Sequence, residues 1–150
     1  MAAYRRILVP VDGSATSLRG LSEAIALAKR ERARIFLVHV LDEFFVLAAP
    51  EAAAYSESVI EDLQRGGRRV LERAEARVRA AGLQVSSVMP ETVGGRAGDE
   101  IVRQAKRLKA DLIVIGTHGR RGIKRLALGS DAEQVVRNAS APVLVVRAAR

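Results

Sequence analysis

Short apolar runs alternate along this chain with longer stretches of helical spacing. Ile7-Leu8-Val9-Pro10-Val11 has the length of a strand. Leu18, Leu21, Ile25 and Ala28 follow at intervals of three and four, which predicts an amphipathic helix over about 14–32. Ile35-Phe36-Leu37-Val38-His39-Val40-Leu41 reads as a second strand. Asp111-Leu112-Ile113-Val114-Ile115-Gly116 and Pro142-Val143-Leu144-Val145-Val146 read as two more. Val/Ile/Leu runs without polar alternation suit parallel strands buried on both faces.

Further helices fall between these runs. Ile60, Leu63, Val70, Ala74, Val78 and Ala81 mark one, with Gly82 as its C-cap. Gly66 and Gly67 interrupt that pattern at a cost of roughly 1 kcal/mol each relative to alanine, which leaves room for a kink or break. Ile101, Ala105 and Leu108 mark another, with Asp99 and Glu100 in its first turn and Lys106, Arg107 and Lys109 at its end, as the helix dipole favours. The weaker strand 83–92 contains Pro90 and is expected at a sheet edge. A last helix is predicted over 130–138, and the Ala-rich patch 48–54 reads as a flexible approach to the second helix. The order β-α-β-α-β-α-β-α-β, with right-handed crossovers, predicts an α/β fold. It is a single domain over 1–150, with an open, doubly wound, five-stranded parallel sheet.

Composition narrows the chemistry. The 150 residues contain no cysteine, which excludes disulfides, iron–sulfur clusters, thiolate zinc sites and a thiol nucleophile. Two histidines, His39 and His118, are too few for a histidine-rich metal site. Lys and Arg total 25 against 17 Asp and Glu, a net charge of +8 that favours anionic partners. Arginine dominates the cations, and a biased genome composition would produce the same excess. Aromatic residues make up 3%, too few for a base-stacking platform, so no nucleic-acid partner is expected. The apolar run after Arg5 and Arg6 stops at Asp12, too short for a signal-peptide core, and no stretch approaches the ~20 residues of a membrane span. A cytoplasmic protein with no membrane partner is expected.

In doubly wound folds, ligands bind beyond the carboxyl ends of the strands, at the point where strand order reverses. After the fourth long run comes Gly116-Thr117-His118-Gly119, then a long loop ending at Gly129-Ser130 before the last helix. Glycines allow close backbone approach to an anion and positive φ, and a helix start offers free amides to phosphate. Ser130 as a plain helix cap is the competing reading. No Walker A loop or Gly-x-Gly-x-x-Gly fingerprint is present. Asp12 at the end of the first strand suits ribose hydroxyls, or else serves the turn Asp12-Gly13-Ser14. His39 reads as a core histidine and His118 as an exposed loop residue. Arg120, Arg121, Lys124 and Arg125 either screen phosphates or form a solvated basic loop.

The spacing Gly116-x2-Gly119-x9-Gly129-Ser130 resembles the nucleotide-binding signature of universal stress proteins of the ATP-binding type. So do the opening Ile7-Leu8-Val9-Pro10-Val11-Asp12-Gly13-Ser14, the segment Leu37-Val38-His39-Val40, and the close Ala141-Pro142-Val143-Leu144-Val145-Val146-Arg147. The resemblance implies strand order 3-2-1-4-5, with Pro10, Val11 and Asp12 bordering adenosine and the Val40 backbone meeting the adenine edge. It also implies that Gly116, Gly119, Gly129 and Ser130 cradle the phosphates, with Thr117 among them and Mg²⁺ or Mn²⁺ on the phosphate oxygens. Asp131 departs from the family pattern. A carboxylate in the first helical turn suits the dipole but repels a nearby phosphate unless a cation bridges the two.

The function so implied is a regulatory, stress-response protein that binds ATP or AMP and forms a homodimer through its last strand, 143–146. A slow ATPase or ATP-using transferase is the alternative, against which stands the lack of an evident base–nucleophile pair. A ligand-free partner-binding module, with the loop merely structural, is the third reading.

Overall fold

The computed structural model describes residues 3–42, 56–92, 95–118 and 128–147. The patch 48–54 lies outside them. In chain order the elements are β1 (Arg6–Pro10), α1 (Ala15–Glu31), β2 (Arg34–Val38), β3 (Leu41–Asp42), α2 (Ser56–Ala80) and β4 (Val85–Val88), then β5 (Glu91–Thr92), α3 (Ala97–Arg107), β6 (Leu112–Gly116), α4 (Ser130–Asn138) and β7 (Val143–Val146). Five strands form one sheet in the order β4-β2-β1-β6-β7, and every neighbouring pair is parallel. Numbered among themselves, these five give the expected order 3-2-1-4-5.

Side chains alternate across the sheet and build two cores. Ile7, Val9, Ile35, Leu37, Leu112 and Val114 pack against Leu21, Ala24 and Ala28 of α1 and Leu71, Ala74 and Val78 of α2. Leu8, Val38, Ile113 and Ile115 pack on the opposite face against Ile101, Val102 and Ala105 of α3 and Ala132 and Val135 of α4. The sheet is therefore covered by helices on both faces. Among the described residues, no helix is long and apolar enough to cross a membrane.

Two departures from the sequence pattern bear on the site. The allowance for a break at Gly66 and Gly67 is not used: α2 runs uninterrupted over Ser56–Ala80. Gly82 does end this segment, in the left-handed region at φ +77. The N–H groups of Gly82 and Leu83 return to the carbonyls of Arg79 and Val78. The weak strand 83–92 divides at Pro90 into β4 and β5, and β5 pairs with the unanticipated β3 (Leu41↔Glu91, Asp42↔Thr92). Pro90 has no N–H to give, but its carbonyl accepts from Leu41 N at 2.9 Å.

Candidate functional site

β1 lies at the reversal of strand order, with β2 on one side and β6 on the other. Beyond its carboxyl end the chain turns sharply into α1. Asp12 Oδ1 accepts from Ser14 N at 2.8 Å, and Gly13 takes φ +81, a conformation that glycine adopts without strain. Ser14 caps α1, its hydroxyl accepting from Ser17 N at 3.2 Å. Asp12 thus performs the turn role, and its half-buried carboxylate stays at the end of a central strand. Pro10 closes β1. The Val11 side chain is only 2% exposed, and its N–H and carbonyl are taken up by Val38 O and His39 Nδ1.

Val40 stands just past β2. Along this strand alternate residues bond to opposite neighbours. Ile35, His39 and Leu41 send their N–H groups to Gln84, Val88 and Pro90 on the β4 side. Arg34 N donates to Arg5 O, and Val38 O accepts from Val11 N, on the β1 side. By that alternation Val40's backbone faces the β1 side, where β1 has already turned away at Asp12.

His39 is buried and holds this corner together. Its Nδ1 lies 2.7 Å from the Val11 carbonyl, which can only accept, so Nδ1 carries the proton and donates. The ring packs against Gly67 of α2, where a Cβ would fall 2.8 Å from His39 Cδ2 and 2.7 Å from Met89 Sδ. This contact is the reason for one glycine of the pair. As expected, His39 is a core histidine with its hydrogen bonding met.

On the other side of β1, β6 ends at Gly116. A Cβ there would sit 2.8 Å from the Thr16 carbonyl oxygen, so the glycine lets the first turn of α1 pack on the strand end. Thr117 is buried, with its N–H on Val146 O at 2.9 Å and its carbonyl accepting from Gly129 N at 2.6 Å. The latter bond closes the stem of the loop. A Cβ on Gly129 would stand 2.8 Å from Thr117 O, while Gly129's φ is an ordinary −61. Close approach within the protein, not a positive φ, therefore accounts for glycine at 129. Gly119 lies outside the described residues, as do Arg120, Arg121, Lys124 and Arg125. His118 is half-buried rather than fully exposed, and its carbonyl accepts from the Thr16 hydroxyl.

Gly129, not Ser130, is the N-cap of α4, and as glycine it brings no capping side chain of its own. Ser130 is its first helical residue and is exposed. Among the described residues, no side-chain hydrogen bond to the first-turn amides of α4 is present. Asp131 is also exposed, but its Oδ1 accepts from Gly98 N at 3.2 Å, in the first turn of α3. α3 has no side-chain cap of its own at Arg96, and Asp131 supplies one from the neighbouring helix. Among the described residues, no group of three or more His, Cys, Asp or Glu side chains stands together as a metal site.

Pro10, Val11, Asp12, Val40, Gly116, Thr117, Gly129 and Ser130 thus lie at the carboxyl ends of three adjacent strands and at the start of the helix that follows. Sequence spacing gave no sign of Thr16 or of the Asp131 cap on α3, because both join segments far apart in the chain.

The Universal stress protein family model matches residues 3–147. The chain is 37% identical over 144 residues to universal stress protein MJ0531 of Methanocaldococcus jannaschii, covering 96% of this chain and 82% of that protein. The solved structure of MJ0577, a universal stress protein of the same organism, superposes with a TM-score of 0.85 at 26% identity, covering 99% of each chain. A universal stress protein crystallised in complex with cAMP superposes with a TM-score of 0.68 at 26% identity, covering 97% of this chain and 98% of that one.

Proposed function

Because the chain belongs to the universal stress protein family, we propose that it binds an adenine nucleotide in the crevice at the ends of β1, β2 and β6. The preferred ligand is ATP, with AMP as the smaller alternative, and the role is regulatory, in the response to stress, rather than enzymatic. The observation that carries this reading is Val40. By the alternation at His39 and Leu41 its backbone edge falls on the β1 side, while Gly129 at the start of α4 bonds to Thr117 at the loop stem on the other side of β1. The first suits the hydrogen-bonding edge of adenine, the second a phosphate group. Asp12 lies between them at the end of β1, where ribose hydroxyls can donate to it. The cAMP complex of a relative supports the ligand class.

Mg²⁺ or Mn²⁺ would enter as the counter-ion of the triphosphate, ligated by phosphate oxygens, since the described side chains form no cage of their own. The protein acts as a homodimer through β7. This edge strand pairs with β6 alone among the described residues and exposes 41% of Leu144.

Calorimetric titration of ATP and AMP, with and without Mg²⁺, tests the site. Asp12→Asn keeps an oxygen for Ser14 N and removes the charge. It should weaken both nucleotides by about tenfold, in the range of one charge-assisted hydrogen bond. Absence of heat or competition with any adenine nucleotide would refute the proposal.

A further inference from the structure

We propose that Thr16 is a positioning residue for nucleotide binding, and that its hydroxyl anchors Thr117-His118, the segment that leads out of β6, to the first turn of α1. This rests on the nucleotide reading above and adds to it the residue that joins its two halves. Thr16 lies in the first turn of α1 and is only 8% exposed. In a helix a threonine hydroxyl ordinarily returns to a carbonyl three or four residues back in its own chain. Here it donates instead to the carbonyl of His118, 102 residues away, at 2.5 Å. The contact spans the reversal of strand order, from the segment after β1 to the segment after β6.

Three observations show that the receiving segment is held from several sides. Thr117 N donates to Val146 O, and Gly129 N donates to Thr117 O. Gly116 has no room for a Cβ because the Thr16 carbonyl lies against it. Thr16 therefore touches the loop root twice, once through its backbone and once through its hydroxyl. The backbone contact sets how near α1 lies, while the hydroxyl holds the carbonyl of His118. Ser14 and Ser17, on the same turn, spend their hydroxyls locally, on Ser17 N and on Ser14 O. Thr16 is the member of this trio that reaches across.

The perturbation is Thr16→Val, which keeps the branched shape and removes the donor, with Thr16→Ser as the rescue. Affinities for ATP, AMP and adenosine are measured for the parent and both variants. Valine should weaken ATP and AMP by about three- to tenfold, the worth of one neutral hydrogen bond, and leave adenosine unchanged. Serine should restore the parent values. Equal loss for adenosine and ATP would mean that the threonine merely supports the fold, and no loss would mean that the bond has no bearing on the loop. Hydrogen exchange without nucleotide gives a second readout. Valine should speed exchange of the Thr117 and Gly129 amides by about three- to tenfold relative to the central strands. If the parent binds no nucleotide, the proposed function falls, while unchanged exchange in the valine variant would overturn the role of Thr16 independently.

Discussion

Gly66 and Gly67 sit side by side in α2 with opposite surroundings, and alanine at each should move stability in opposite directions. A Cβ at Gly66 meets nothing within 4 Å. Alanine there restricts the unfolded chain and improves helix propensity, a gain of about 0.5–1 kcal/mol. At Gly67 the added carbon lands 2.7 Å from Met89 Sδ and 2.8 Å from His39 Cδ2. The methionine is unbranched and can rotate away at modest cost. The imidazole cannot, because it is buried and its Nδ1 is tied to Val11 O at 2.7 Å. Overpacking of a fixed group costs about 1–3 kcal/mol. The propensity gain is common to both positions and cancels in the comparison, so Gly66→Ala should be more stable than Gly67→Ala by about 1–3 kcal/mol. For a chain of this size that separates the melting temperatures by about 2–12 °C, at about 2–4 °C per kcal/mol. Urea unfolding followed by far-UV circular dichroism measures the difference directly, with an unchanged slope as the check that only stability moved. Equal upward shifts for the two variants would refute the packing of α2 on His39. Because that ring also holds the Val11 carbonyl, Gly67→Ala should weaken adenine-nucleotide binding as well, and Gly66→Ala should not.

Two further expectations concern the other elements. Asp131→Ala removes the cap of α3 and should cost about 1 kcal/mol in chemical denaturation, while Asp131→Asn, which keeps an acceptor for Gly98 N, should cost less than half of that. Since Oδ1 is turned to α3, neither substitution should change the ratio of ATP to AMP affinity by more than about twofold; a large gain in metal-free ATP binding would show that the carboxylate reaches the phosphates. Leu144→Lys places a charge on the exposed residue of the β7 edge and should shift the light-scattering mass from dimer to monomer at micromolar concentration; a parent that is already monomeric would refute pairing through β7.

What was readable in the sequence is what local periodicity encodes. The unalternated runs locate four of the five strands of the main sheet, the weaker stretch 83–92 contains the fifth, and 130–138 marks α4 to the residue, because burial on both faces and the helical repeat leave a mark within a few positions. Strand order came from family resemblance. The pair β3 and β5 leaves no mark in the sequence because each has two residues, too few for a pattern, and because Pro90 lacks the N–H of a paired strand residue. The uninterrupted course of α2 was hidden for a different reason: glycine lowers helix propensity locally, and the compensation is contact with His39 and Met89 from other elements. Thr16 and Asp131 were invisible as joining residues, since their partners stand 102 and 33 positions away and no spacing announces such a bond.

The glycine signature shows the same division between local pattern and distant contact. Its spacing is legible, and the natural reading is that each glycine admits phosphate. In the folded chain Gly116 makes room for the first turn of α1, and Gly129 for the Thr117 carbonyl. Both are required by the protein's own packing, before any ligand is considered. An alanine at either position would displace backbone rather than a flexible side chain, so loss of binding in such variants would report a distorted loop stem as readily as a blocked phosphate. Val40 is the more discriminating feature. The direction of its backbone edge follows from the pairing of His39 with Val88 and of Leu41 with Pro90 on either side of it. A ligand contact through the backbone depends on that register and not on side-chain identity. Substitutions of the Val40 side chain should therefore affect affinity far less than the Thr16 and Asp12 variants do, and adenosine titrations into Val40→Ile, compared with the parent, would test that ordering.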